Sequence, residues 1–216
     1  MKLKVCGHQS LEDIQTTIQT GADAIGFVFA PSKRRVKPVE VAQWLQQVEL
    51  TGQKLVGVFV NADFEEVASV LKKVPLDIIQ CHGSETPEYM LTVKQMTGCE
   101  VWKVIHHYPN AWKEMHQFRG AADAFLVDAK VNGQWGGTGQ TFAWEYIPLY
   151  LEEAAKQGVG CYIAGGVNAE NVEQLVTYNP AGIDIASGSE TNGVKDLDKI
   201  SKIEKRVKGY EPASTR

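Results

Sequence analysis

Short unbroken apolar runs alternate along the chain with longer segments in which apolar residues recur every third or fourth position. Eight runs read as strands: Lys2–Cys6, Ala24–Phe29, Lys54–Val60, Asp77–Cys81, Glu100–Ile105, Ala124–Asp128, Gly160–Ala164 and Gly182–Ala186. Runs such as Ile25-Gly26-Phe27-Val28-Phe29 lack the polar alternation of a half-exposed strand. That is the pattern of parallel strands covered on both faces. The intervening segments read as helices. Ser10 is placed to cap the first, with Asp13 three residues on, Leu11, Ile14 and Ile18 on one side, and Gly21 past the end. Asn61 or Asp63 opens the third, whose stripe is Val67, Val70 and Leu71, and the last carries Leu197, Ile200, Ile203 and Val207. The segment after the fifth strand is the weakest, because Tyr108-Pro109-Asn110 precedes a mixed run, Ala111–Phe118.

Eight strands each followed by a helix, at a spacing of roughly 25 residues, predict an α/β fold: a single (β/α)8 TIM barrel. It spans residues 1–208, and 209–216 lack periodicity and read as a loose tail. An open doubly wound sheet is the alternative. Such a sheet carries a glycine-rich turn after its first strand, whereas this one ends in Cys6-Gly7-His8.

Composition narrows the function classes. The 216 residues suit one domain, and a formal charge of -4 lacks the basic excess of a nucleic-acid surface. No window approaches the roughly 20 apolar residues of a membrane span. The N-terminus enters a strand at once, without the pattern of a signal peptide. Cys6, Cys81, Cys99 and Cys161 form no C-x-x-C pair, so no zinc or redox site is suggested. A cytoplasmic protein with free thiols is expected.

In a barrel of this kind the site forms where the strands end. Two Gly-containing turns stand out there, Gly165-Gly166 after strand seven and Ser187-Gly188 after strand eight. Either pair alone can be a simple tight turn. Two at the strand ends that recurrently bind phosphate predict an anion cradle of backbone N–H groups. Cys6 ends strand one and Asp128 ends strand six. A strand cysteine is commonly a small hydrophobe, and Asp128 can equally cap a helix or pair with Arg34. As a proton-transfer pair they need an ionised Cys6, aided by nearby positive charge, and a protonated Asp128, aided by burial. Arg34, in the loop after strand two, is either solvated charge or a bidentate partner for a substrate carboxylate. His82, after strand four, is as suited to a backbone group as to a ligand. His106 and His107 are adjacent in a strand, point to opposite faces, and make a poor metal pair. Gly136-Gly137-Thr138-Gly139 reads as a mobile loop.

These residues carry a resemblance. Lys4-Val5-Cys6-Gly7, Gly26-Phe27-Val28-Phe29, Ser32-Lys33-Arg34, Ile79-Gln80-Cys81-His82-Gly83, Gly136-Gly137-Thr138-Gly139, Ile163-Ala164-Gly165-Gly166-Val167-Asn168 and Gly182-Ile183-Asp184-Ile185-Ala186-Ser187-Gly188 occur in order through nearly the whole chain. The set resembles the phosphoribosylanthranilate isomerases of tryptophan biosynthesis. That resemblance implies an Amadori rearrangement of N-(5-phosphoribosyl)anthranilate, with Cys6 as general base and Asp128 as general acid. It implies Arg34 and His82 at the substrate, the phosphate on Gly165, Gly166, Ser187 and Gly188, and no metal or other cofactor. Cys81 stands where leucine is usual and Ala129 where serine is frequent; neither removes a proposed catalytic group. The phosphorylated sugar-anthranilate substrate is the implied partner, with no nucleic acid or membrane. The chain is expected to be a monomer or a homodimer. Two rivals remain: an indole-glycerol-phosphate synthase-like lyase, which needs lysines at strand ends where Lys103 lies inside strand five, and a non-catalytic phosphate-sugar-binding barrel.

Overall fold

The apolar runs form strands within one residue of their expected limits: β1 Lys2–Cys6, β2 Ala24–Val28, β3 Lys54–Phe59, β4 Ile78–Cys81, β5 Glu100–His106, β6 Ala124–Asp128, β7 Gly160–Ile163 and β8 Gly182–Ile185. A computed structural model describes residues 1–129 and 141–211. Each strand pairs in parallel with the next, and β8 pairs with β1 to close the barrel. At that seam Lys4 is in register with Asp184, and Val5 with Ile185. The (β/α)8 reading therefore stands, and the open sheet is excluded.

The helices are α1 Leu11–Ile18, α2 Pro38–Leu45, α3 Phe64–Leu71, α4 Pro87–Thr97, α5 Ile147–Gln157, α6 Val172–Val176 and α7 Leu197–Lys208. Between β5 and β6 the chain forms a 3-10 helix, Ala111–Phe118, where the sequence pattern was weakest. A short antiparallel pair, β9 Glu190–Thr191 and β10 Val194–Lys195, follows β8.

Period-two alternation divides the core. Leu3 and Val5 turn outward into the layer between strands and helices, where Ile14, Val67, Val70, Ile200, Ile203 and Val207 lie buried. Each such aliphatic side chain, fully buried, contributes about 1.5–3 kcal/mol. Leu197 departs from the expected stripe: it is 39% exposed at the first turn of α7, outside that layer. Inside the barrel, Ala24, Val56, Ile78, Trp102 and Ala124 pack as one layer beneath Tyr162. Val104, Leu126 and Ala164 lie above it.

Side-chain caps fix where the helices start. Ser10 accepts from the Asp13 N–H at 3.1 Å, as its position predicts. Asp63, not Asn61, caps α3, accepting from the Glu66 N–H at 2.8 Å. Asn61 instead adopts φ +50° and accepts from the Ser84 N–H, joining the loops after β3 and β4.

Candidate active site

The strand ends enclose a cleft. Cys6, Arg34, His82 and Asp128 line it together with Gly165, Gly166 and Ser187. Gly188 lines an adjoining cleft that shares Gly166 and Ser187 with the first. All eight residues singled out from the sequence thus meet at one mouth. The two adjacent histidines part as alternation requires. His106 Nε2 lies 3.0 Å from the His82 carbonyl, and His107 Nδ1 lies 2.8 Å from the Tyr150 hydroxyl on the helix side. The Gly136–Gly139 segment lies outside the described residues.

Cys6 is 7% exposed and faces inward, as does Lys4 two residues before it. Gly26, its register partner on β2, makes room for the thiol: a Cβ there would lie 2.6 Å from Sγ. Burial pushes the Cys6 thiol pKa up, the Lys4 ammonium pulls it down, and the Asp184 carboxylate pushes it up again. Lys4 is fully buried and donates to Asp184 Oδ1 at 2.9 Å.

Asp128, 4% exposed, faces His82 at 3.4 Å between Oδ2 and Nε2, off the angle of a hydrogen bond. Gln80 Nε2 lies 3.2 Å from His82 Nδ1. With the amide nitrogen donating, Nδ1 accepts and the ring proton is placed on Nε2, toward Asp128.

Arg34 does not pair with Asp128. Its Nε and Nη2 each donate at 2.8 Å to the two carboxylate oxygens of Glu190, a bidentate pair whose side chains are 7% and 9% exposed. Glu190 also accepts from Lys195 Nζ at 3.0 Å, and Lys195 donates at 2.7 Å to the Cys6 carbonyl. Burial raises the Glu190 pKa, but Arg34 and Lys195 outweigh it and hold the carboxyl below the usual range. Buried Lys195 is itself pulled below the usual lysine value by desolvation.

The cradle is built from backbone. Gly165 and Gly166 have φ of +84° and +63°, and Ser187–Ser189 turn as a 3-10 helix. A Cβ on Gly188 would run into the Val167 carbonyl, so the two turns are in direct contact. Asn171 Nδ2 donates to the Gly166 carbonyl at 2.9 Å, and Asn171 Oδ1 accepts from the Asn168 N–H, pinning the turn from α6. Lys199 lines the outer cleft and donates at 2.7 Å to the Glu190 carbonyl.

A model of the N-(5'-phosphoribosyl)anthranilate (PRA) isomerase family matches residues 3–206. This chain belongs to the PRA isomerase family. Two proteins named N-(5'-phosphoribosyl)anthranilate isomerase are similar to it over nearly their full lengths. That of Geobacillus thermodenitrificans is 50% identical over 97% of this chain and 95% of its own. That of Halalkalibacterium halodurans is 51% identical over 99% and 98%. The crystal structure of the PRA isomerase from Thermotoga maritima superposes with a TM-score of 0.84 at 30% identity, covering 97% of this chain and 100% of that one. A PRA isomerase in complex with reduced 1-(o-carboxyphenylamino)-1-deoxyribulose 5-phosphate gives 0.81 at 28% identity, with the same coverage. The chain is therefore an isomerase of tryptophan biosynthesis.

Sequence reasoning passed over Glu190, Lys195, Lys4, Asp184 and Gln80. Lys4 and Asp184 did carry a signal. Each is a charged residue inside an otherwise apolar barrel strand, which is tolerated only when the charge is paired. Lys103 shows the same pattern in β5 and the same answer, with Nζ 2.9 Å from Glu85 Oε2 and 2.6 Å from the Gly83 carbonyl.

Proposed function

We infer that this cleft catalyses the Amadori rearrangement of N-(5'-phosphoribosyl)anthranilate to 1-(2-carboxyphenylamino)-1-deoxyribulose 5-phosphate, with Cys6 as base and Asp128 as acid. The observation that carries the reading is one cleft walled by a thiol from β1, a carboxyl from β6 and the glycine turns after β7 and β8. The Gly165-Gly166 and Ser187-Gly188 turns offer N–H groups to the phosphate, with the Lys199 ammonium beside them.

Asp128 donates its proton to the furanose ring oxygen. The bond from C1 to that oxygen breaks, and the anthranilate nitrogen lone pair closes an iminium. The Cys6 thiolate then takes the proton from C2, and the released electron pair forms the C1=C2 bond of an enolamine. Loss of the C2 hydroxyl proton and protonation at C1 give the ketone. Atoms balance as an isomerisation, with the substrate's own nitrogen as electron sink. His82, its Nε2 3.4 Å from Asp128 Oδ2, shares the cleft wall with the carboxyl. Arg34, held on one edge by Glu190, has Nη1 left for the anthranilate carboxylate.

The site groups lie at the mouth of one barrel, an arrangement that suits a monomer and a homodimer alike. The thiols are free, which suits a reducing cytoplasm, and no helix among the described residues is long and apolar enough to cross a membrane.

Cys6→Ala and Asp128→Asn are each expected to lower turnover about 10²-fold or more, the usual worth of a positioned acid or base. Fluorescence loss of phosphoribosylanthranilate reads this directly. Near-normal turnover in either variant removes that residue from its role.

A further inference from the structure

We propose that Lys4 is a positioning residue for the reaction, its buried ammonium being the fixed cation against which the Cys6 thiolate forms, with Asp184 holding back part of its charge. The proposal rests on Cys6 being the base.

Lys4 is fully buried within the barrel, where an unpaired ammonium costs several kcal/mol. Its hydrogen-bonded partner is Asp184, opposite it across the β1–β8 seam at 2.9 Å. Lys4 and Cys6 lie two positions apart on one strand and share its inward face, so the same ammonium also reaches the sulfur side chain. Despite burial, which pulls it down, the Lys4 pKa is pushed up to about 12 by Asp184 first and Cys6 next. The ammonium therefore stays charged throughout the working range of the enzyme.

Burial leaves the Cys6 pKa raised overall, and the surrounding charges set how far that rise is offset. Facing Cys6 are Lys4 from its own strand, Asp184 from β8, Lys195 from β10 and Arg34 from the loop after β2. Glu190 accepts from both Arg34 and Lys195. His8 is buried and neutral, and His82 and Asp128 form the opposite wall. Three cations and two carboxylates leave one positive charge around a neutral thiol. Ionising Cys6 makes that set neutral. Arg34 and Lys195 share Glu190 and Lys4 has Asp184, and of these cations Lys4, on the same strand face, exerts the largest pull on the sulfur. Asp184 governs the size of that pull.

A strut that merely joins β1 to β8 would behave differently. The test is the pH dependence of Cys6 alkylation by iodoacetamide, read on the Cys6 peptide by mass spectrometry in the substrate-free enzyme. Lys4→Met is expected to raise the midpoint by about one pH unit or more, slowing alkylation about tenfold below it. Asp184→Asn is expected to lower the midpoint by a similar amount. The double variant Lys4→Met/Asp184→Asn removes the pair as a unit and is expected to fall between the two. If Lys4→Met alone does not fold, Asp184→Asn and the double variant decide, since only a counter-ion role places Asp184→Asn below the double. Opposite shifts of the two single variants support the proposal. Midpoints within about 0.3 unit of the parent, or shifts in the same direction, overturn it. The reading of Cys6 as base fails separately, through undiminished turnover of Cys6→Ala, and the alkylation midpoints do not depend on turnover.

Discussion

Replacing Glu190 by glutamine tests whether the charge cluster behind Arg34 holds the mouth of the barrel together. Glutamine keeps the shape of the side chain and removes one charge. Glu190 accepts three charge-assisted bonds, at 2.8 and 2.8 Å from Arg34 and 3.0 Å from Lys195. A hydrogen bond to a charged group is worth about 1.5–3 kcal/mol against about 0.5–1.5 for a neutral one, so each bond weakens by roughly 1 kcal/mol. The glutamine amide also turns an NH2 toward cations, which cannot accept from it. The expected loss is therefore about 3 kcal/mol, at the lower end of the roughly 3–5 kcal/mol for removing one partner of a buried pair. Urea unfolding with m held common to both proteins measures it, and the thermal midpoint is expected to fall by roughly 10 °C. The exposed Arg206–Glu173 pair is the control, because Glu173→Gln is expected to cost under about 1 kcal/mol. If Arg34 binds the substrate carboxylate as proposed, its release should raise KM more than it lowers kcat, since that contact precedes the chemistry. A Glu190→Gln enzyme within about 1 kcal/mol of the parent would refute the claim that this cluster is buried and coupled.

Gly26→Ala places a Cβ 2.6 Å from the Cys6 sulfur, so kcat is expected to fall about tenfold or more with a stability loss of about 1–3 kcal/mol; unchanged kcat would show that the thiol has room to move. Gly188→Ala forces the cradle turn away from Val167, and is expected to weaken competitive inhibition by inorganic phosphate about tenfold, an unchanged inhibition constant counting against the cradle. His8 is fully buried with Nδ1 3.2 Å from the Gly26 carbonyl and Nε2 2.8 Å from the Thr17 hydroxyl, and burial holds its pKa well below the usual value. The unfolded chain protonates near pH 6.5 and the folded one does not, so this contribution is full above pH 6.5 and lost as pH falls below it, by about 1 kcal/mol between pH 6.5 and 5.5. Urea midpoints should show a shallower loss for His8→Gln over that interval; equal slopes would contradict the assignment.

What the sequence made legible follows from what is local. Strand limits came within one residue because an apolar run ends where the chain must turn, and Ser10 was readable because a cap acts on a group three residues away. The strand-end residues proposed for the site could be picked out once the fold was expected, and they do line one cleft. Partners distant in sequence were not legible. Arg34 and Glu190 lie 156 positions apart, and Lys195 and the Cys6 carbonyl 189 apart. No periodicity connects such residues. They become neighbours only when β8 closes onto β1. Leu197 failed for a related reason, since helical spacing marks a face without fixing whether its first turn is covered.

That closure has a functional consequence. The β1–β8 seam brings Asp184 to Lys4, Lys195 to the Cys6 carbonyl and Glu190 to Arg34. The same strands carry the Cys6 thiol and lead into the Ser187-Gly188 turn. An open sheet with identical strands would leave Lys4 a bare buried cation and Arg34 without its anchor. The contacts that close the barrel are thus the contacts that assemble the site. If Cys6 and Arg34 play the proposed roles, a perturbation that loosens the seam without unfolding the helices disturbs both together. Activity should therefore be lost before helical structure in denaturant, and the gap between the two measures how much of the site depends on closure rather than on any single residue.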